Sequence, residues 1–155
     1  MFWNKKANQI KESANKILNK DLLQAYTGVI ALMGFVNDKK MDEAEQQQAR
    51  ALITGHPKLG EFGMEAAQMF YAYVNRLKNS FMSGKREIMR ELGDVKGDQV
   101  EMEDVLVASL DMALLDGVFQ EAEYKLAVEV ATMFRLNLDD YLEDDVKAQI
   151  AAYKK

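Results

Sequence analysis

The chain has 155 residues, a formal net charge of −5, 48% hydrophobic and 29% charged residues, one His and no Cys. That balance belongs to a globular chain with a sizeable core, not to a disordered one. The lack of Cys excludes disulfides and thiolate metal sites and points to a reducing compartment, while a single His excludes multi-histidine zinc sites and leaves any His-based triad hanging on one residue.

Residues 1–20 carry five Lys against one Glu and contain no apolar core segment, so a secretory signal is not expected. A helix is predicted near 4–18, on which Trp3, Ala7, Ile10, Ala14 and Ile17 recur at spacings of four and three. Such a basic amphipathic helix has two uses. It docks on a membrane surface or partner, with Trp3, Lys5 and Lys6 in contact, or it covers the protein's own core. No run approaches the roughly 18 apolar residues of a membrane-spanning helix. The expected location is the cytoplasm, with peripheral contact at the inner face of the membrane.

Further helices are predicted near 21–36, 42–54, 61–82, 84–93, 101–115, 120–135 and 139–152, and no segment alternates with the period of a strand. One Pro and nine Gly among many Ala, Leu, Met, Glu, Gln and Lys favour helix throughout. The breaks fall at turn or cap residues: Asn37-Asp38, Gly55-His56-Pro57, Gly93-Asp94, Asp116-Gly117 and Asn137. Short connections favour antiparallel neighbours, the longest loop being 93–100. The expected fold class is all-α: a single-domain bundle of seven to eight helices over 1–155, with 1–20 as its basic N-terminal helix.

The segment 105–115, "VLVASLDMALL", is apolar on nearly all sides and is expected at the buried centre. Its polar exception, Asp111, lies either on a solvated stripe or beside Asp116. His56 reads as a turn residue, since no Ser or Cys nucleophile set accompanies it. "FYAYV" at 70–74, with Met64, Met69, Met82 and Met89, reads as core packing ahead of a ligand pocket. Residues 101–145 carry thirteen Asp or Glu against Lys125 and Arg135, which leaves that half no face for nucleic-acid phosphates.

The chain also repeats itself. Segment 29–45, "VIALMGFVNDKKMDEAE", aligns with 107–123, "VASLDMALLDGVFQEAE", at an offset of 78 residues. Val29/Val107, Leu32/Leu110, Asp38/Asp116, Glu43/Glu121, Ala44/Ala122 and Glu45/Glu123 are identical, and Met41 matches Phe119 as a large apolar residue. Each unit is an apolar helix, an acidic turn and an amphipathic helix, which predicts a pseudo-symmetric duplication.

"DGVFQEAE" fits the second half of a calcium-binding EF-hand loop, with Asp116, Gly117, Phe119 and Glu123 at the expected spacing. Met112 and Leu114 then stand where oxygen ligands are required, so a standard EF-hand is rejected. Two acid clusters survive: Asp116, Glu121 and Glu123 in one turn, and Asp38, Glu43 and Glu45 in the other, where Lys39 replaces the Gly. Hard oxygen ligands suit Ca²⁺ or Mg²⁺. The competing reading is helix capping: Asp42-x-x-Glu45 is a variant capping box, and first-turn acids complement the helix dipole.

At these residues the chain resembles the TerB-like tellurite-resistance family. The marks are two turns of the form Asp-Gly-x-apolar-x-x-x-Glu between helices, "GFVNDKKMDEAEQQQARAL" at 34–52 and "LLDGVFQEAEYKLAVEVATMFRLNLDDY" at 114–141. "FYAYVNRLKNSFMSGKREIM" at 70–89 is similar to the family's central helices. The resemblance implies an all-helical, non-enzymatic stress-response protein that binds divalent cations, Ca²⁺ or Mg²⁺, and acts with the membrane protein TerC. Carried over, the matching residues are Asp116, Gly117 and Glu123, then Asp38 and Glu45, with Glu43 and Glu121 as helpers. Lys39 departs from the pattern and places a cation beside Asp38. The alternative is an adaptor bundle whose acidic turns only cap helices and which recruits a protein partner. A metal-dependent hydrolase has less support, because no further base or substrate-binding set accompanies the carboxylates.

Overall fold

A computed structural model describes residues 20–95 and 98–154. The predicted helix 4–18, with Trp3, Lys5 and Lys6, lies outside the described residues. Among those described there are seven α-helices and no strand. Helix α1 covers 20–35. It is followed by α2 (Glu43–Gly55), α3 (Met64–Asn79), α4 (Phe81–Asp94), α5 (Gln99–Ala113), α6 (Glu121–Met133) and α7 (Asp144–Ile150). Short 3₁₀ turns occupy Leu59–Glu61, Leu138–Tyr141 and Ala151–Lys154.

Side chains at the helix starts satisfy amides that have no partner inside the helix. The Asp42 carboxylate accepts from the Glu45 amide at 2.7 Å ahead of α2, and Ser80 Oγ accepts from Ser83 N at 3.3 Å ahead of α4. Asp98 and Glu101 form a reciprocal capping box at α5.

Three boundaries differ from those predicted. The helix expected over 61–82 divides, because Gly63 takes a left-handed φ of 46° and Ser80 closes α3 in extended backbone. Ser80 then caps α4, which starts at Phe81, not at 84; the cap hydrogen bond outweighs the continuing apolar pattern. Gly93-Asp94 does end its helix as expected, Asp94 being the last residue of α4 before the extended Val95. The helix expected over 139–152 breaks at Leu142 and Glu143 into a 3₁₀ turn and α7.

The leading helices of the two repeat units form the heart of the core. Val29, Ile30, Leu32 and Phe35 of α1, and Val105 and Leu106 of α5, are fully buried. α5 packs on α6, α2 on α3, α3 on α4, and α4 reaches α6. Phe70, Tyr73 and Val74 join this core, but Met64 and Met82, also expected there, are 77% and 83% exposed. Val107 of α5 is 38% exposed, and Leu115, in the turn beyond the helix, is 45% exposed, so the segment 105–115 is less buried than its composition predicts.

The duplication is visible in space. Gly34 and Met112 are repeat equivalents, and a Cβ on Gly34 would stand 2.9 Å from the Met112 methyl and 1.9 Å from that of Met41. The two repeat units approach one another closely here, and Gly34 leaves room for both methionine side chains because it carries none of its own. No helix of the described residues is long and apolar enough to cross a membrane.

Candidate site at the paired acidic turns

The two turns share one backbone shape. Asp38 accepts from the amide of Lys40 at 3.4 Å, and Asp116 from that of Val118 at 3.1 Å. Each is an aspartate side chain closing a turn on the amide two residues ahead. The residue between is left-handed in both, with φ 61° at Lys39 and 79° at Gly117. Glycine adopts that conformation freely, whereas Lys does so against a steric penalty of roughly 1 kcal/mol. The Lys39 ammonium lies 5.7 Å from the Phe81 ring centroid, a favourable cation–π position. Met41 and Phe119, 3% and 0% exposed, plug the two turns into the core.

The caps that follow differ. In the first turn Asp42 serves α2, as described above. In the second, Glu123 reaches back, its Oε1 accepting from the Gln120 amide at 2.9 Å. Glu123 is 6% exposed. Burial, with a contribution from the Asp116 charge, raises its pKa from 4.5 to about 7, against the stabilising Gln120 amide and Asn37 side chain. Asn37 belongs to the first turn, so that turn comes close to the Glu123 carboxylate. Burial and then the Asp42 side chain likewise raise the pKa of Glu45, with Asp38 adding to the effect.

Other candidates stand apart from this junction. Glu121 pairs with Lys125 one helical turn on at 3.4 Å, both more than half exposed, an arrangement that contributes little to stability. Glu43 is exposed. Asp111 is exposed too; partial burial raises its pKa and the nearby His56 lowers it. Its electrostatic neighbour is therefore His56, not Asp116. His56 Nδ1 accepts from the amides of Lys58 at 3.1 Å and Leu59 at 3.3 Å. It caps the 3₁₀ turn, as a turn residue should.

Sequence reasoning missed the clamp on the second turn. Gln149 Oε1 accepts from Phe119 N at 2.8 Å, Gln149 Nε2 donates to Gly117 O at 3.2 Å, and the Tyr153 hydroxyl donates to Phe119 O at 3.1 Å. These partners come from 30 to 34 residues away, and no local pattern announces them. Gln46 Nε2 does the corresponding work in the first turn, donating to Met41 O at 2.9 Å.

Divalent-cation binding requires several oxygen donors converging on one point. Among the described residues no three Asp, Glu, His or Cys side chains are grouped so as to hold a metal ion. Asp38, Asp116 and Glu123 each use an oxygen on a local amide. Glu121 turns to Lys125. Among the described residues these acids are therefore not gathered into one ligand set.

A family model described as "Tellurite resistance protein TerB" matches residues 24–143. Among curated proteins, the NF-kappa-B essential modulators of Bos taurus and Sus scrofa are each 26% identical over 110 residues, covering 70% of this chain. The chain spans about a quarter of the length of those relatives, 26% in each case. No solved structure matches it significantly.

Proposed function

The chain belongs to the tellurite-resistance TerB family, and from that premise we propose that it is a non-enzymatic stress-response module that works by binding a partner. In this reading the acidic turns are structural: they cap α2 and α6 and lock the two repeat units together. The observation that carries it is the engagement of the turn carboxylates within their own turns, Asp42 on Glu45 N and Glu123 on Gln120 N. The family resemblance suggests a TerC-like membrane protein as that partner. The basic N-terminal segment is the natural contact with it or with the inner face of the membrane.

One observation favours a second reading, in which the second turn takes Ca²⁺ or Mg²⁺. Glu123 is buried beside Asp116 and Asn37, so a cation drawn there would relieve the burial of negative charge. Titration of both cations, followed by backbone NMR on wild type and Asp116→Asn, separates the two. The capping reading expects no saturable shift up to millimolar cation. Saturable shifts centred on 111–123 that vanish in Asp116→Asn would overturn it and establish the cation site.

A further inference from the structure

A groove of about 340 Å³ opens beside Leu22, Leu23 and Tyr26 of α1. That is within the lower range of ligand-binding clefts, about 300–1,000 Å³. Leu22, Leu23, Leu59, Phe62 and Val100 supply its apolar walls, and Val100 stands 61% exposed beside it. Glu61, Asp98 and Glu101 supply acids. Its cation, Lys58, is held by Asp104 at 2.6 Å, and no other described residue neutralises these acids in an ion pair. Tyr26, also in the wall, is 3% exposed and its hydroxyl has no hydrogen-bond partner among the described residues. A buried polar group left in that state is a local cost that the described residues do not offset.

The geometry points to the chain's own residues 1–19 as the occupant of this groove. The groove is apolar with an excess of acids. The segment presents Trp3, Ala7, Ile10, Ala14 and Ile17 on one stripe, and carries Lys5, Lys6, Lys11 and Lys16 against Glu12. Its attachment point is Lys20, immediately before the wall residues Leu22 and Leu23. At about 1.5 Å per helical residue or 3.3 Å per extended one, the segment reaches roughly 28 to 63 Å, ample for return to a wall formed by its own neighbours. Tethering holds it at an effective concentration of the order of millimolar, so even a contact of about millimolar intrinsic affinity is about half occupied. The same apolar and basic residues would serve a membrane or partner, so docking in the groove withholds them from it. This inference is independent of whether the acidic turns bind a cation.

Trp3 is the sole Trp, so its fluorescence in the full chain reports docking directly. The expected result is blue-shifted emission and acrylamide quenching several-fold weaker than in the urea-unfolded chain, unchanged on dilution. The variant Val100→Lys with Glu61→Lys alters two exposed residues of the groove and should leave the helical circular dichroism intact. It should return Trp3 to unfolded-like emission. Four results would overturn the proposal: full quenching of Trp3 in the folded wild type; protection that survives the double substitution; protection lost on dilution, which assigns the groove to a second copy; or protection arising only with phosphatidylglycerol vesicles, which assigns the segment to membranes.

Discussion

Substituting Glu123 by Gln tests whether a buried carboxylate opposes the fold. The folded pKa of Glu123 is raised from 4.5 to about 7. A raised pKa means that the native state favours the protonated form. The associated stability is fully present below pH 4.5 and is lost as pH rises through about 7. At 1.36 kcal/mol per unit, the shift corresponds to about 3 kcal/mol of native-state penalty on the ionised form. Gln is neutral throughout and keeps an oxygen for the Gln120 amide, which Glu123 Oε1 now serves at 2.9 Å. Glu123→Gln should therefore match wild type in acid and exceed it by about 2–3 kcal/mol above about pH 8. The gap should open at up to about 1.4 kcal/mol per pH unit. Urea unfolding across this range, with m-values compared, measures it. A stability difference that stays flat with pH, or a Gln variant less stable in base, would refute the burial argument.

Four further outcomes follow from the same geometry. Lys39→Gly should stabilise the fold by several tenths of a kcal/mol, the relieved left-handed strain of roughly 1 kcal/mol being partly offset by the freer unfolded chain. Gly117→Ala should destabilise by about 1 kcal/mol although its Cβ would meet nothing within 4 Å, because only the backbone objects; thermal melts of both variants measure the pair. Asp42→Ala should lose about 1 kcal/mol with the α2 cap in urea unfolding, with little effect on the second turn. Phe119→Ala should lose about 3–5 kcal/mol from a fully buried position, and increased amide exchange at 117–120 should accompany it.

Much of the fold was legible because the chemistry that sets it is local. The repeat, the Asp42 cap, the Asn137 turn and the buried α5 all follow from residues within a few positions of one another. The missed boundaries have the same origin. Ser80 and Gly63 act through one hydrogen bond and one backbone angle, signals that a search for apolar spacing passes over. The site was less legible. Asn37 approaching Glu123, and Gln149 and Tyr153 gripping Phe119, join residues far apart in the chain, and neither acid pattern nor helical period encodes that proximity.

The duplication shows which features such a turn needs. Both copies keep an aspartate closing on the amide two residues ahead, a left-handed residue after it, and a large apolar plug, Met41 or Phe119. What varies is how the next helix is capped: by the side chain of Asp42 in one copy and by Glu123 reaching back in the other. Shape is therefore common to both turns, while the disposition of carboxylates is not. Two equivalent metal sites would need their carboxylates arranged alike, since ligand number and position determine coordination. Two turns whose task is to end one helix, start another and plug the core need only the shared backbone. Differences at Gly34/Met112, Lys39/Gly117 and Asp42/Gln120 are then the adjustments by which two unequal sequences meet at one junction, with Glu123 buried at the seam.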